Sequence, residues 1–75
     1  MATLRIKLTV PSALVREPVI YNTCKKHRLV PNIRKARITE ASGETILDLN
    51  GDEGDLRAGV EYLTGLGVEV TPITD

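Results

Sequence analysis

The feature that most constrains the fold is a perfect alternation of apolar and polar side chains over residues 3–10. Its apolar members are Leu4, Ile6, Leu8 and Val10, and its polar members are Thr3, Arg5, Lys7 and Thr9. Such alternation is typical of a β-strand with one buried face and one face in water. The chain must therefore build a sheet that packs on one side only.

Later segments alternate between helical and strand-like patterns. The predicted helices are 17–28 and one that opens at the acidic residues 52–55, and the further predicted strands are 32–40, 45–50 and 68–71. Pro18 suits the first turn of a helix because its missing N–H has no partner there. Residues 41–44 predict a hairpin turn, in which Gly43 is free to adopt a positive φ.

Two local irregularities carry structural information. Ile33 and Ile38 are out of phase by one residue for a regular strand. This mismatch predicts either a β-bulge near Arg34 or a later start of the strand. Gly59 lies inside the second helix, where glycine costs roughly 1 kcal/mol relative to alanine, and this indicates close packing at that position.

The element order β-α-β-β-α-β predicts an α+β, ferredoxin-like two-layer sandwich. Its four-stranded antiparallel sheet would have both helices on one face. The residues expected to face the helices are Leu4, Ile6, Leu8, Val68 and Val70. The other face of the sheet should be uncovered and should display Arg5 and Lys7.

Charge is segregated along these 75 residues, which we interpret as a single domain spanning 1–75. Nine of the ten Lys and Arg residues lie at or before Arg37, and nine of the ten Asp and Glu residues lie at or after Glu40. The basic residues of the last turn of the first helix and of the second strand are Lys25, Lys26, Arg28, Arg34, Lys35 and Arg37. They could bind phosphates or an acidic protein, or form a solvated face balanced by the acidic half.

Several classes of function find no support in the sequence. A single cysteine, Cys24, excludes an internal disulfide and a self-sufficient cysteine-ligated cluster. No apolar run approaches the roughly 18 residues of a membrane span, and no leader is evident, so a cytoplasmic protein is expected. The only aromatic residues, Tyr21 and Tyr62, fall in helices, whereas RNA-binding modules of this fold stack bases on strand aromatics. Nucleic acid is therefore not an expected partner.

No catalytic, metal or cofactor site is predicted. Cys24 lies on the apolar stripe of its helix, which favours an inert buried thiol, and His27 near the helix end is interpreted as a surface or packing residue. A nucleophilic pair of Cys24 and His27 would lack a third orienting group. The acidic residues Asp48, Asp52, Glu53 and Asp55 lack calcium-loop spacing, and we interpret them as a strand end and a helix cap.

A set of short motifs spans nearly the whole chain, over about residues 4–73. It consists of Pro18, Asn32-Ile33, Ala36, Ile38, Gly43, Leu49, Gly51, Tyr62-Leu63 and Gly67-Val68-Glu69-Val70. This pattern resembles the NIL domain, an ACT-like module of ferredoxin-like fold found in methionine-importer ATPases and beside ferredoxin-type iron–sulfur domains. The Asn-Ile-x-x-Ala-x-Ile stretch is more similar to the ferredoxin-linked branch. Arg34 departs from the Asn-Ile-Leu triplet that gives the domain its name.

The resemblance implies a non-catalytic regulatory or adaptor module that forms a homodimer. It implies a small metabolite, such as the amino acid methionine, bound at Asn32, Ile33 and Arg34, although Asn32 could instead satisfy backbone groups where its strand begins. The predicted partner-binding residues are Arg5, Lys7, Lys35 and Arg37. The alternative is an accessory protein that docks onto an acidic iron–sulfur or electron-transfer partner. Because nothing follows Asp75, a free-standing domain acting in trans is expected.

Overall fold

The computed structural model describes residues 1–15, 17–39 and 41–73. The elements are β1 (Ala2–Pro11), a 3-10 turn (Ser12–Leu14), α1 (Val19–His27), β2 (Val30–Ile38), β3 (Ser42–Gly51), α2 (Glu53–Leu66) and β4 (Glu69–Pro72). Their order confirms the predicted β-α-β-β-α-β arrangement. The predicted end of the second strand at Glu40 lies outside the described residues.

All strands pair antiparallel in one sheet of order β2-β3-β1-β4. The central pair, β1 and β3, runs in unbroken register from Ala2 opposite Gly51 to Pro11 opposite Ser42. The sheet edges are β2, whose residues are all exposed, and the short β4. This topology is the ferredoxin-like sandwich that the sequence predicts.

The core lies between one face of the sheet and both helices. Its buried members are Ile6, Leu8, Val10, Val19, Cys24, Leu29, Leu47, Leu49, Leu56, Leu63 and Val68. Three of the predicted inward residues, Ile6, Leu8 and Val68, are buried, and Leu4 and Val70 are half-buried. The alternate residues of β1 and β3 face the opposite side, which we call the open face.

Two predicted boundaries are wrong for local reasons. Helix α1 begins at Val19, with Pro18 as its N-cap rather than in its first turn. The β2–β3 turn is closed by a hydrogen bond from the Thr39 amide to the Ser42 carbonyl, at 2.8 Å. Gly43 therefore lies inside β3, opposite Val10 and Ile38, and does not have the expected positive φ.

The predicted bulge is confirmed in β2. Ile33 pairs with Leu47 and Lys35 pairs with Ile46, so Arg34 is the extra residue. A bulge shifts the alternation by one residue. As a result Arg34 and Lys35 both lie on the open face, while Ile33 and Ile38 share the helix side.

Gly59 has the close packing that the sequence indicates. A Cβ atom built at Gly59 would lie 2.7 Å from Cδ1 of Leu29, and one built at Gly51 would lie 2.6 Å from Cδ2 of the same side chain. Leu29 is buried. Its two methyl groups are thus held between a helix glycine and a strand glycine, and this contact fixes α2 against the start of β2.

We expect Gly59→Ala to destabilise the protein by about 1–3 kcal/mol, because the clamped Leu29 leaves no room for a methyl group. Gly65→Ala in the same helix is the matched control, since nothing lies within 4 Å of a Cβ at Gly65. The control should gain about 0.5–1 kcal/mol from helix propensity. Urea unfolding measures both, and a Gly59→Ala protein as stable as the control would contradict the clamp.

Candidate functional site

The open face is organised around the side chain of Asp48 in the middle of β3. Arg5 of β1 donates from Nε to Asp48 Oδ1 at 2.8 Å and from Nη2 to Oδ2 at 3.4 Å. Arg34 of β2 donates from Nε to Oδ2 at 2.7 Å. One carboxylate therefore links the three strands β1, β3 and β2 by charged hydrogen bonds.

This carboxylate is well shielded from water. The Asp48 side chain is only 7% exposed, whereas Arg5 and Arg34 are 31% and 50% exposed. Hydrogen bonds from Arg5 and then Arg34 lower the pKa of Asp48 from 3.8 to about 2. Asp48 is therefore ionised at every physiological pH, and it acts as an acceptor rather than as a general acid.

The interpretation of Asp48 as a strand end is wrong. Asp48 lies well inside β3, and Leu47 and Leu49 on either side of it are buried in the core. A sequence signal for this position existed, because inward Leu47 and Leu49 require Asp48 to face outward. Asp52 does precede α2 as its N-cap, but its side chain forms no capping hydrogen bond.

The three predicted ligand-binding residues do not share one face. Asn32 pairs with Asp48 across the ladder and lies with Arg34 on the open face, whereas Ile33 lies on the helix side and is 55% exposed. A hydrogen bond to the backbone at the start of the strand, considered for Asn32, is instead formed by Asn50, which the sequence analysis did not single out. Asn50 Nδ2 donates to the Val30 carbonyl at 3.4 Å and so secures the beginning of β2.

Three of the four predicted partner-binding residues come together on the open face. Lys7, Lys35 and Arg37 surround Ile46 and Glu44 in a pocket of about 190 Å³. Arg5 is not part of this pocket because it binds Asp48. The open face thus has one region where two arginines share a carboxylate and another where three cations face a single carboxylate.

Cys24 and His27 form no reactive pair. Cys24 is buried, and burial raises the pKa of its thiol, which keeps it protonated and unreactive. The His27 ring packs at 5.6 Å from the Tyr62 ring, and its Nε2 atom has no hydrogen-bond partner in the described part of the chain. Lys26 covers the same Tyr62 ring at 4.8 Å. These contacts join α1 to α2 and are structural.

Two further properties concern the described residues, 1–15, 17–39 and 41–73. They contain no group of three or more His, Cys, Asp or Glu side chains placed to hold a metal ion. Neither of their helices is long and apolar enough to cross a membrane.

The fold and the open face together define a ferredoxin-like sandwich that presents a charged surface. The NIL domain matches residues 4–72, and the chain belongs to this family of regulatory, non-catalytic domains. No curated protein matches the sequence.

Two solved structures are similar in fold. One is the C-terminal domain of an ABC transporter ATP-binding protein from Enterococcus faecalis, at 21% identity and a TM-score of 0.83, with 96% of this chain and 84% of that chain covered. The other is the de novo designed protein Foldit4, at 16% identity and a TM-score of 0.56, with 97% and 96% covered. At these identities the likeness shows the fold alone.

We expect Asp48→Asn to lower stability at neutral pH, because Arg5 and Arg34 then face each other without a counter-ion. The pH dependence gives a sharper test. Since the folded pKa of Asp48 lies below its ordinary value, the ionised side chain stabilises the fold above about pH 4, and this contribution is lost as the pH falls towards about 2. Urea unfolding between about pH 5 and about pH 2 should therefore show a smaller loss of stability in the variant than in the wild type.

Glu61→Gln, an exposed change on α2, is the control and should keep the wild-type pH dependence. An Asp48→Asn protein that loses stability over this range as steeply as the wild type would contradict the role given to Asp48.

Proposed function

We propose that this NIL domain is a regulatory module that pairs with a second copy and binds a small amino acid beside Asn32 and Arg34. The observation that carries the proposal is the state of Asn32. Its amide lies on the exposed edge strand β2, and no described residue forms a hydrogen bond with its side chain. An amide offers two N–H donors and an acceptor oxygen, so all of its hydrogen-bonding capacity is available to a ligand.

The groups around Asn32 suit a zwitterion. Arg34 uses Nε to bind Asp48, and a guanidinium has four further N–H donors that can bind a carboxylate. The side-chain amide oxygen of Asn32 can accept a hydrogen bond from the ligand's ammonium group. Asp48 holds the guanidinium in place beforehand, which lowers the entropy lost when a ligand binds.

The exposed edge supports pairing with a second copy. Ile33 and Ile38 on the helix side of β2 are 55% and 71% exposed. Ile38 also borders an apolar pocket of about 180 Å³, whose other lining residues include Val10, Val19 and Tyr21. Burying these side chains against the same edge of a second copy would stabilise a dimer.

Charge and backbone geometry favour side-chain contact over an extended strand ladder between the copies. The bulge at Arg34 interrupts the edge, and Lys35 and Arg37 would repel their counterparts in a paired β2. The isoleucines lie on the opposite face of β2 from these cations.

A reducing compartment such as the cytoplasm fits the single unpaired cysteine, and we include that location in the proposal.

A thermal-shift screen of the twenty common amino acids, with methionine first, tests the ligand. At a ligand concentration of ten times Kd the wild type should gain about 1.4 kcal/mol, which raises Tm by roughly 5–10 °C. Asn32→Ala should abolish most of this shift. Asn22→Ala, at an exposed position of α1, should keep it. If no amino acid raises the Tm of the wild type, the ligand is not an amino acid.

Sedimentation velocity tests the dimer. Ile38→Lys should shift the protein towards the monomer, because it places a charge in the apolar contact. Leu66→Lys is the matched control, since Leu66 is also an exposed aliphatic residue, at 40%, but lies at the end of α2. A wild type that sediments as a monomer at every accessible concentration, or equal loss of dimer in both variants, would exclude pairing through this edge.

A further inference from the structure

We infer that the open face carries a second binding site, for a small dianion with oxyanion groups, in the pocket formed by Lys7, Lys35 and Arg37. We call this pocket the cationic trough. It does not depend on the proposed amino-acid site, because it uses none of the residues Asn32, Arg34 and Asp48. Its walls are contributed by β1 and β2, and its floor by Ile46 of β3.

The sheet register fixes the geometry of the trough. Lys7 and Lys35 both pair with Ile46, one from each neighbouring strand. Adjacent strands lie about 4.8 Å apart, so the two lysine backbones are separated by roughly 10 Å across the short Ile46 side chain. Arg37 is the next residue of β2 on the open face, opposite Glu44. Long cationic side chains thus flank an apolar floor on both sides.

The trough has a larger excess of positive charge than the cluster around Asp48, where two arginines share one carboxylate. Glu44 is its only carboxylate among the described residues that line it, and its contact with Lys7 is 3.9 Å long between half-exposed side chains. Such a pair contributes little. Within the described residues, Lys35 and Arg37 form no ion pair. The trough therefore holds three cations against one weakly engaged anion.

The β-bulge is what concentrates these cations. Without the extra residue at Arg34, strict alternation would place Arg34 and Lys35 on opposite faces of β2. With it, Arg34 binds Asp48 and Lys35 joins the trough. The bulge therefore gives each region of the open face one cation of β2: Arg34 binds the Asp48 carboxylate, and Lys35 lines the trough.

The size of the trough favours a small ligand. Pockets for drug-sized molecules enclose about 300–1,000 Å³, whereas this pocket encloses about 190 Å³. An apolar floor between two cationic walls suits a molecule with an oxyanion group at each end and a short carbon chain between them, or a single phosphate group. A dicarboxylate and a phosphate share this oxyanion chemistry.

The test is an NMR titration of the ¹⁵N-labelled full chain at constant ionic strength, with succinate in one arm and inorganic phosphate in the other. Either anion should cause saturable shifts at the amides of Lys35, Arg37, Glu44 and Ile46, and the tighter one assigns the ligand class. Chloride at matched ionic strength should cause no saturable shift. Lys35→Gln and Arg37→Gln should each weaken binding by about two- to fivefold, as expected for partly exposed charge pairs.

Lys25→Gln is the control, because it removes the same charge from an exposed position of α1. If it weakens binding as much as Lys35→Gln, the effect is a general one of net charge and the site is wrong. A titration with poly-glutamate peptides tests whether the trough instead binds an acidic protein. Binding that grows with peptide length while neither small anion saturates would overturn the inference in favour of docking by an acidic protein. Preserved amide spectra of each variant show that folding is unaffected.

Discussion

The open face depends on one interaction, the capture of the shielded Asp48 carboxylate by two arginines from opposite neighbouring strands. Arg5 and Arg34 approach from β1 and β2, so a single side chain of β3 ties three strands together. Removing one partner of such a buried ionic group leaves charge without compensation, which costs more than the pair itself contributes. Asp48 also holds the guanidinium of Arg34 on the open face.

The same interaction changes how the segregated charge of the chain should be understood. The cationic half contains β1 and β2, and the acidic half contains β3, which lies between them in the sheet. Opposite charges therefore meet within the molecule, as Asp48 does with Arg5 and Arg34. On the open face, the excess of positive charge is larger where β3 presents Ile46 instead of a carboxylate between two lysines.

Most of the fold could be predicted because its signals are local. Alternation over residues 3–10 determines which face of β1 is buried, and the phase shift between Ile33 and Ile38 reveals the bulge. The position of Gly43 could not be predicted, because the Thr39–Ser42 hydrogen bond closes the turn before that residue. The role of Asp48 required knowledge of which strands lie beside β3. From the sequence, Lys7, Lys35 and Arg37 could be named as candidate binding residues. Their arrangement around Ile46 could not be predicted, because it depends on the register of β3 with β1 and β2.

The bulge gives a physical reason for the Arg34 departure from the Asn-Ile-Leu triplet. A leucine at this position would place an apolar side chain on the open face next to Asp48, and it would leave that carboxylate with Arg5 as its one arginine. Arginine at the extra residue of the bulge instead supplies the second donor. The following residue, Lys35, then lies on the same face. The one extra residue of the bulge therefore places Arg34 at Asp48 and Lys35 in the trough. The charge of Arg34 and the irregularity of β2 are thus parts of one arrangement, in which backbone geometry decides where each cation is used.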